Sequence, residues 1–252
     1  MKKTFLNQER PLLTVMLQCE TPDVAIGRIR NALHSGAEAF GLQVESLGRQ
    51  YQNPECYQKL FGEMRKKPVY VTNYRVCNNQ GKSDEQLAEE MVTLADCGGT
   101  LIDVMGDLFD RQPDEMAIDE LAIRKQMDLI EVLHGKGAQV IMSSHVMKFI
   151  PAERVLEIAM EQKRRGADII KIVTGAEDMA QQIENLRITN LLKNELGAPF
   201  LFLSIGESSI HRRLGLKFGC CMHLCVYEHD AASTFDQPLL SVSKKIRDEM
   251  GF

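Results

Sequence analysis

No run of apolar residues in this 252-residue chain approaches the ~20 needed to span a bilayer, so no membrane-spanning helix is expected. The opening stretch MKKTFLNQERPLL is basic but lacks an apolar core of signal-peptide length, because Asn7, Gln8, Glu9 and Arg10 interrupt it. A disulfide framework is missing too: the 7 cysteines are odd in number and scattered, a usage that suits a reducing cytoplasm. Nor is there an excess of positive charge. With 30 Lys and Arg against 35 Asp and Glu, the formal charge is -5, which argues against a nucleic-acid or anionic-membrane partner. The short basic runs at Arg10, Lys66-Lys67 and Lys163-Arg164-Arg165 read as solvated helix faces or ends, and Asp84-Glu85 and Glu89-Glu90 as a solvated helix face. Low-complexity tracts are absent, and 44% hydrophobic with 26% charged residues is ordinary for a globular protein.

What the chain does contain is a recurrence of short apolar, β-branched runs: Leu12–Leu17, Ala39–Val44, Val69–Tyr74, Thr100–Met105, Gln139–Ser143, Asp168–Val173, Pro199–Ile205 and Cys220–Val226. Helical segments lie between them. The spacing predicts helices over Asp23–Ser35, Asp84–Asp96, Ala117–His134, Pro151–Arg165, Met179–Glu195 and Pro238–Met250. Several helix-to-strand junctions share one device, a glycine that ends the helix just before the strand: Gly36, Gly98, Gly137, Gly166, Gly197 and Gly219. Strict βα alternation requires parallel strands with right-handed crossovers. Eight units in this length predict an α/β fold, a (β/α)8 TIM barrel forming one domain over residues 1–252. The alternative, an open doubly wound sheet, normally carries a glycine-rich phosphate loop after its first strand, and LQCETPDVA has none.

A barrel of this kind performs its chemistry at the C-terminal strand ends. In GADIIKIVTG, Lys171 stands alone among Ile169, Ile170, Ile172 and Val173. Burial disfavours the charged form of an amine, and a neutral amine attacks ketones to form a Schiff base. The protonated imine then acidifies the adjacent carbon, which calls for a general base. His145, closing VIMSSH on the neighbouring strand, titrates in the correct range. Arg75 ends strand three, Ser204 ends strand seven, Arg212 and Arg213 follow it, and the loop EHDAASTFDQ follows strand eight.

Together VIMSSH, ADIIKI and SIHRRLGLKFG resemble the type I 3-dehydroquinate dehydratases, which carry a histidine after VMSxH, a Schiff-base lysine on the next strand and an SR..GE.FGS run. ASTFDQ is similar to the family's ASAPGQ. The resemblance implies that Lys171 forms the Schiff base and His145 is the general acid/base. It makes Arg212 the carboxylate-binding arginine, with Arg213 the off-by-one alternative, and Ser233 and Gln237 the polar pair of the covering loop. Arg75 is similar to the family's third-strand arginine. The substrate implied is a small cyclic 3-keto carboxylic acid, with no metal or organic cofactor because the lysine is the electron sink, and the assembly implied is a homodimer.

The departures concern the end that reads hydroxyls. Where the family has Glu-x-Arg after strand two, LQVES offers Gln43 and Glu45 as the substrate-contacting positions. Asn79 stands where glutamate is usual, Leu216 and Lys217 where Gly-Glu is usual, and Met16 near a first-strand serine. Loss of a cation and displacement of an anion should alter substrate preference or reduce activity towards dehydroquinate. Two rivals stay open: an aldolase-type C–C lyase using the same imine, and a barrel that binds a keto acid without turnover. CCMHLC is too tightly spaced for ordinary zinc ligation and reads as core. Asp103, Asp107 and Asp110 read as loop carboxylates facing water or orienting a neighbour, Asp103 being the candidate partner of the catalytic pair. The 13 methionines read mostly as core filler.

Overall fold

The computed structural model describes residues 4–251. The signal-peptide reading and the 1–252 domain span therefore touch residues outside the described ones. Eight parallel strands line up in the order β7-β6-β5-β4-β3-β2-β1-β8. They are β1 (Leu12–Leu17), β2 (Ala39–Gln43), β3 (Val69–Thr72), β4 (Leu101–Met105), β5 (Gln139–His145), β6 (Ile169–Ala176), β7 (Phe200–Gly206) and β8 (Met222–Cys225). β8 pairs with β1, and the remaining seam, between β7 and β8, is held by Cys221 N–H donating to the Phe200 carbonyl at 2.9 Å. This is the (β/α)8 barrel.

The helices are α1 (Pro22–His34), α2 (Pro54–Glu63), α3 (Asp84–Cys97), α4 (Glu120–Gly135), α5 (Ala152–Arg164), α6 (Met179–Glu195), α7 (Ser209–Leu214) and α8 (Leu240–Met250). Their starts are chemically marked: Thr21, Asn53, Asp119 and Asp178 accept from first-turn amides, and Ser83 forms a reciprocal box with Gln86. All six junction glycines have positive φ, from 59° to 121°, the left-handed region a helix C-terminus uses. Sequence periodicity misses α2 and α7. α7 spans under two turns and α2 is only ten residues long, too short for a clear apolar stripe.

Alternation along each strand divides the core. Ile172 and Ile170 pack with Ile158 and Ile188 in one cluster between strands and helices, while Lys171 and Val173 line a cavity inside the barrel mouth. Phe5, fully buried, belongs to the same cluster as Met222 and Ile169, and Thr4 donates to Gln139 at the start of β5, so the N-terminal segment closes the end opposite the cavity.

Two charged runs depart from the solvated-face reading. Arg165 is buried: it donates to the carbonyls of Gly106 and Ala117 and to Gln126. Asp84 is half-buried against Arg75, and Glu90 accepts from Asn73 and Lys82. Helix faces near the strand C-termini pack against long loops, which linear charge patterning does not reveal.

Candidate active site

The cavity at the C-terminal strand ends has a volume of about 790 Å³. Lys171, its side chain 5% exposed, reaches in from β6. The expected aliphatic surroundings of the amine are not what it meets. Ile170 and Ile172 face the helices, and Nζ instead donates to Tyr74 OH at 2.5 Å, Tyr70 OH at 2.9 Å and Asp103 Oδ2 at 3.1 Å. Both phenols donate to the same Oδ2, and Ser143 Oγ donates to Oδ1 at 2.5 Å. Burial, reinforced by the Asp103 carboxylate, holds both phenols well above their usual range.

His145 ends β5. Strand register sets Ser143 beside Lys171 and His145 beside Val173. The imidazole therefore sits two residues further towards the mouth, about 6–7 Å along the strand. Its Nδ1 lies 2.7 Å from Glu115 Oε2, and its backbone N–H donates to the same oxygen at 2.8 Å. The ring meets Tyr74 edge-on, with centroids 5.1 Å apart. Burial works against the charge on Glu115, but the bonds to His145 outweigh it and hold the carboxyl below its usual range.

Arg212, on α7, also lines the cavity. Its Nε donates to the Ser204 carbonyl at 2.7 Å, and burial, partly offset by Asp236, brings it down to about 10, so it is a cation at neutral pH. Arg213 instead turns back onto the Ser209 carbonyl and is not among the cavity-lining residues. Gln237 is buried at the cavity wall, with its Oε1 unpartnered.

Three expected contacts fall differently. Arg75 lines the cavity, but its guanidinium is held by both oxygens of Asp84 and by Asp107. Gln43 reaches the cavity, whereas Glu45 is buried behind it, accepting from Thr72 Oγ1 and Tyr74 N–H. Burial raises Glu45 to about 7. Ser233 bonds to Asp230, and its neighbour Thr234, held by Gln18, lines the cavity instead. A one-residue shift in a loop changes which side chain faces inward without changing the motif.

Sequence reasoning did not single out Tyr70, Tyr74 or Glu115. The tyrosines had a faint signal, two polar-tipped aromatics at even spacing, one on β3 and one two residues past its end. Asn79, where glutamate was expected, bonds to Asn73 and the Tyr74 carbonyl, and the carboxylate on His145 comes from Glu115 on a different loop. Of the other acids, Asp107 binds Arg75 and Asp110 accepts from the backbone of Ile118 and Asp119. His223 meets Ser243, and Cys225 donates to the Thr14 carbonyl, so the CCMHLC residues turn to separate partners.

A barrel with a buried lysine, a carboxylate-held histidine and a buried arginine at its mouth defines the class of lysine-dependent barrels. Within that class, residues 13–237 match the model of the type I 3-dehydroquinases, and the chain belongs to that family. It is 34% identical over 94 residues to the 3-dehydroquinate dehydratase of Alkaliphilus oremlandii (strain OhILAs), a match spanning 36% of this chain and 37% of that one. The type I 3-dehydroquinate dehydratase of Clostridium difficile, solved with covalently modified comenic acid, superposes with a TM-score of 0.80 at 17% identity, over 96% of this chain and 93% of that one. The 3-dehydroquinate dehydratase of Geobacillus kaustophilus HTA426 gives 0.79 at 14% identity, over 96% and 91%.

Proposed function

We propose that this chain is a Schiff-base lyase that dehydrates 3-dehydroquinate or a closely related cyclic 3-keto carboxylic acid. The observation that carries the reading is the buried amine of Lys171 opening into the mouth cavity, with a cationic Arg212 in the same wall. Lys171 condenses with the C3 ketone. The imine withdraws electrons, His145 removes the C2 proton, and the C1 hydroxyl departs as His145 returns that proton to it. Hydrolysis then frees product and lysine. Arg212 and Gln237 hold the carboxylate, which decides the carbon presented to His145. Gln43, Arg75 and Thr234 line the cavity and are left to meet the hydroxyls, with Glu45 buried behind them and Ser233 turned to Asp230.

Incubation with 3-dehydroquinate followed by borohydride reduction should place a mass adduct on Lys171. Lys171→Ala should abolish the adduct, and His145→Ala should slow turnover by about 10²–10⁴-fold while still allowing trapping. An unmodified Lys171 with this and related keto acids, or normal turnover by either variant, would refute the reading. All seven cysteines are free, which suits a reducing, cytoplasmic setting, and no helix among the described residues is long and apolar enough to cross a membrane. Family analogy supports a homodimer, checked by light scattering.

A further inference from the structure

The groups that touch the reacting nitrogen are not those the imine reading assigns to proton transfer. Among the described residues, Nζ of Lys171 is hydrogen-bonded to Tyr74, Tyr70 and Asp103. His145 lies two residues nearer the mouth, its Nδ1 engaged by Glu115, close to where the carbons next to an imine nitrogen would sit. Forming an imine moves two protons from nitrogen to the departing oxygen, and those protons start beside Asp103.

Resting on the imine reading above, we propose that Tyr74 and Asp103 carry the protons of imine formation at Lys171, which leaves His145 to the carbon acid. The ammonium first gives a proton to Asp103. The free amine adds to the ketone carbon, the C=O π electrons move to oxygen, and that oxygen takes the phenolic proton of Tyr74, which Asp103 replaces. The nitrogen, now cationic, gives a second proton to Asp103. Tyr74 protonates the hydroxyl again, the C–O bond breaks, water leaves, and the nitrogen lone pair closes the C=N bond while Asp103 re-protonates Tyr74. Two protons have left nitrogen, one water has formed, and Asp103 is again a carboxylate beside a cationic imine.

Geometry selects Tyr74 over Tyr70. Both phenols line the cavity, but Tyr70 is completely buried, whereas Tyr74 is partly exposed and stands between Nζ and the imidazole. Its 2.5 Å bonds to both Nζ and Asp103 Oδ2 make one short path between the two. The elevated phenol keeps its proton at neutral pH, as an acid catalyst must.

The test is single-turnover trapping: 3-dehydroquinate, quenching with borohydride at timed intervals, and quantification of the Lys171 adduct by mass. Tyr74→Phe should slow adduct formation by about 10²-fold or more, as loss of a general acid does. It should also suppress any isotope effect that C2-deuterated substrate produces on wild-type turnover, because imine formation becomes the slow step. Tyr70→Phe should trap within about tenfold of wild type, and His145→Ala at the wild-type rate. Asp103→Asn, with folding followed by circular dichroism, should slow the same step as Tyr74→Phe. Trapping by Tyr74→Phe at the wild-type rate would overturn this inference alone, as would a larger defect in Tyr70→Phe or His145→Ala. No adduct in the wild-type chain would overturn the imine reading and this inference with it.

Discussion

Glu115 holds His145 at two points, the ring Nδ1 and the backbone N–H, through one oxygen. That arrangement sets the tautomer as well as the angle of the ring, since an acceptor at Nδ1 keeps the proton there and leaves Nε2 free for chemistry. Glu115→Gln keeps the shape but offers an amide that can donate to Nδ1. We expect kcat to fall by about 10²–10⁴-fold with KM little changed, in steady-state assays with 3-dehydroquinate. A wild-type kcat would show that the contact has no part in turnover. Lys171 and His145 stood out as candidates in the sequence because a lone lysine inside an apolar strand and a histidine at a strand end each suggest a chemistry. Asp103 was legible only as a candidate partner of that pair and Tyr70 and Tyr74 not at all, since within the runs VYVTNY and TLIDVM nothing marks which side chains point at the lysine two and three strands away.

At the scale of the element, the segment between β4 and α4 does most to shape the site, for it supplies Asp107 to Arg75 and Glu115 to His145. It is pinned from beneath. Arg165 holds the carbonyls of Gly106 and Ala117, Gln126 those of Gly106 and Leu108, and Asp110 caps the amides of Ile118 and Asp119. Glu115 itself has φ 48°, unusual for a residue with a side chain, so the loop is held in a conformation it would not choose alone. A Cβ at Gly106 would lie 2.5 Å from the Glu115 carbonyl oxygen and 2.5 Å from Met116 Sδ. Gly106→Ala should therefore lower stability by about 1–3 kcal/mol and, by displacing Glu115, reduce kcat. Urea denaturation and turnover assays check both, and unchanged values would mean that the loop yields without strain. The same segment explains why Arg165 was misread: a basic residue at a helix end looks solvated until a loop folds over it.

For the whole molecule, three buried titratable side chains shape stability against pH. Burial, then nearby arginine charge, lowers His211 to about 3 and His223 to about 4, while burial raises Glu45 to about 7. The unfolded chain protonates its histidines near 6.5, so it binds more protons than the fold as pH drops below that, and stability falls towards pH 3–4. Glu45 acts in the opposite sense. The fold keeps its proton from 4.5, where the unfolded chain releases it, up to about 7, so this group's contribution falls as pH rises through that window. Two histidines outweigh one glutamate below pH 6.5, and Glu45 alone remains just above it. Stability measured by urea denaturation should thus rise from pH 4 to about 6.5 and dip slightly to 7. Glu45→Gln should gain, relative to wild type, on the order of 3 kcal/mol between pH 4 and pH 8. A parallel pair of curves would show that Glu45 is ionised in the fold. The sequence by itself determined the barrel, the order of its strands and the glycine stops, and it singled out the candidate lysine and histidine, because period, punctuation and residue type are local properties. Only the tertiary structure decided what surrounds them: the tyrosine–aspartate cage, the Glu115 partner, the burial of Glu45 and the engagement of Arg75. Those depend on register between strands and on how long loops return, and contacts between residues dozens of positions apart leave no spacing to read.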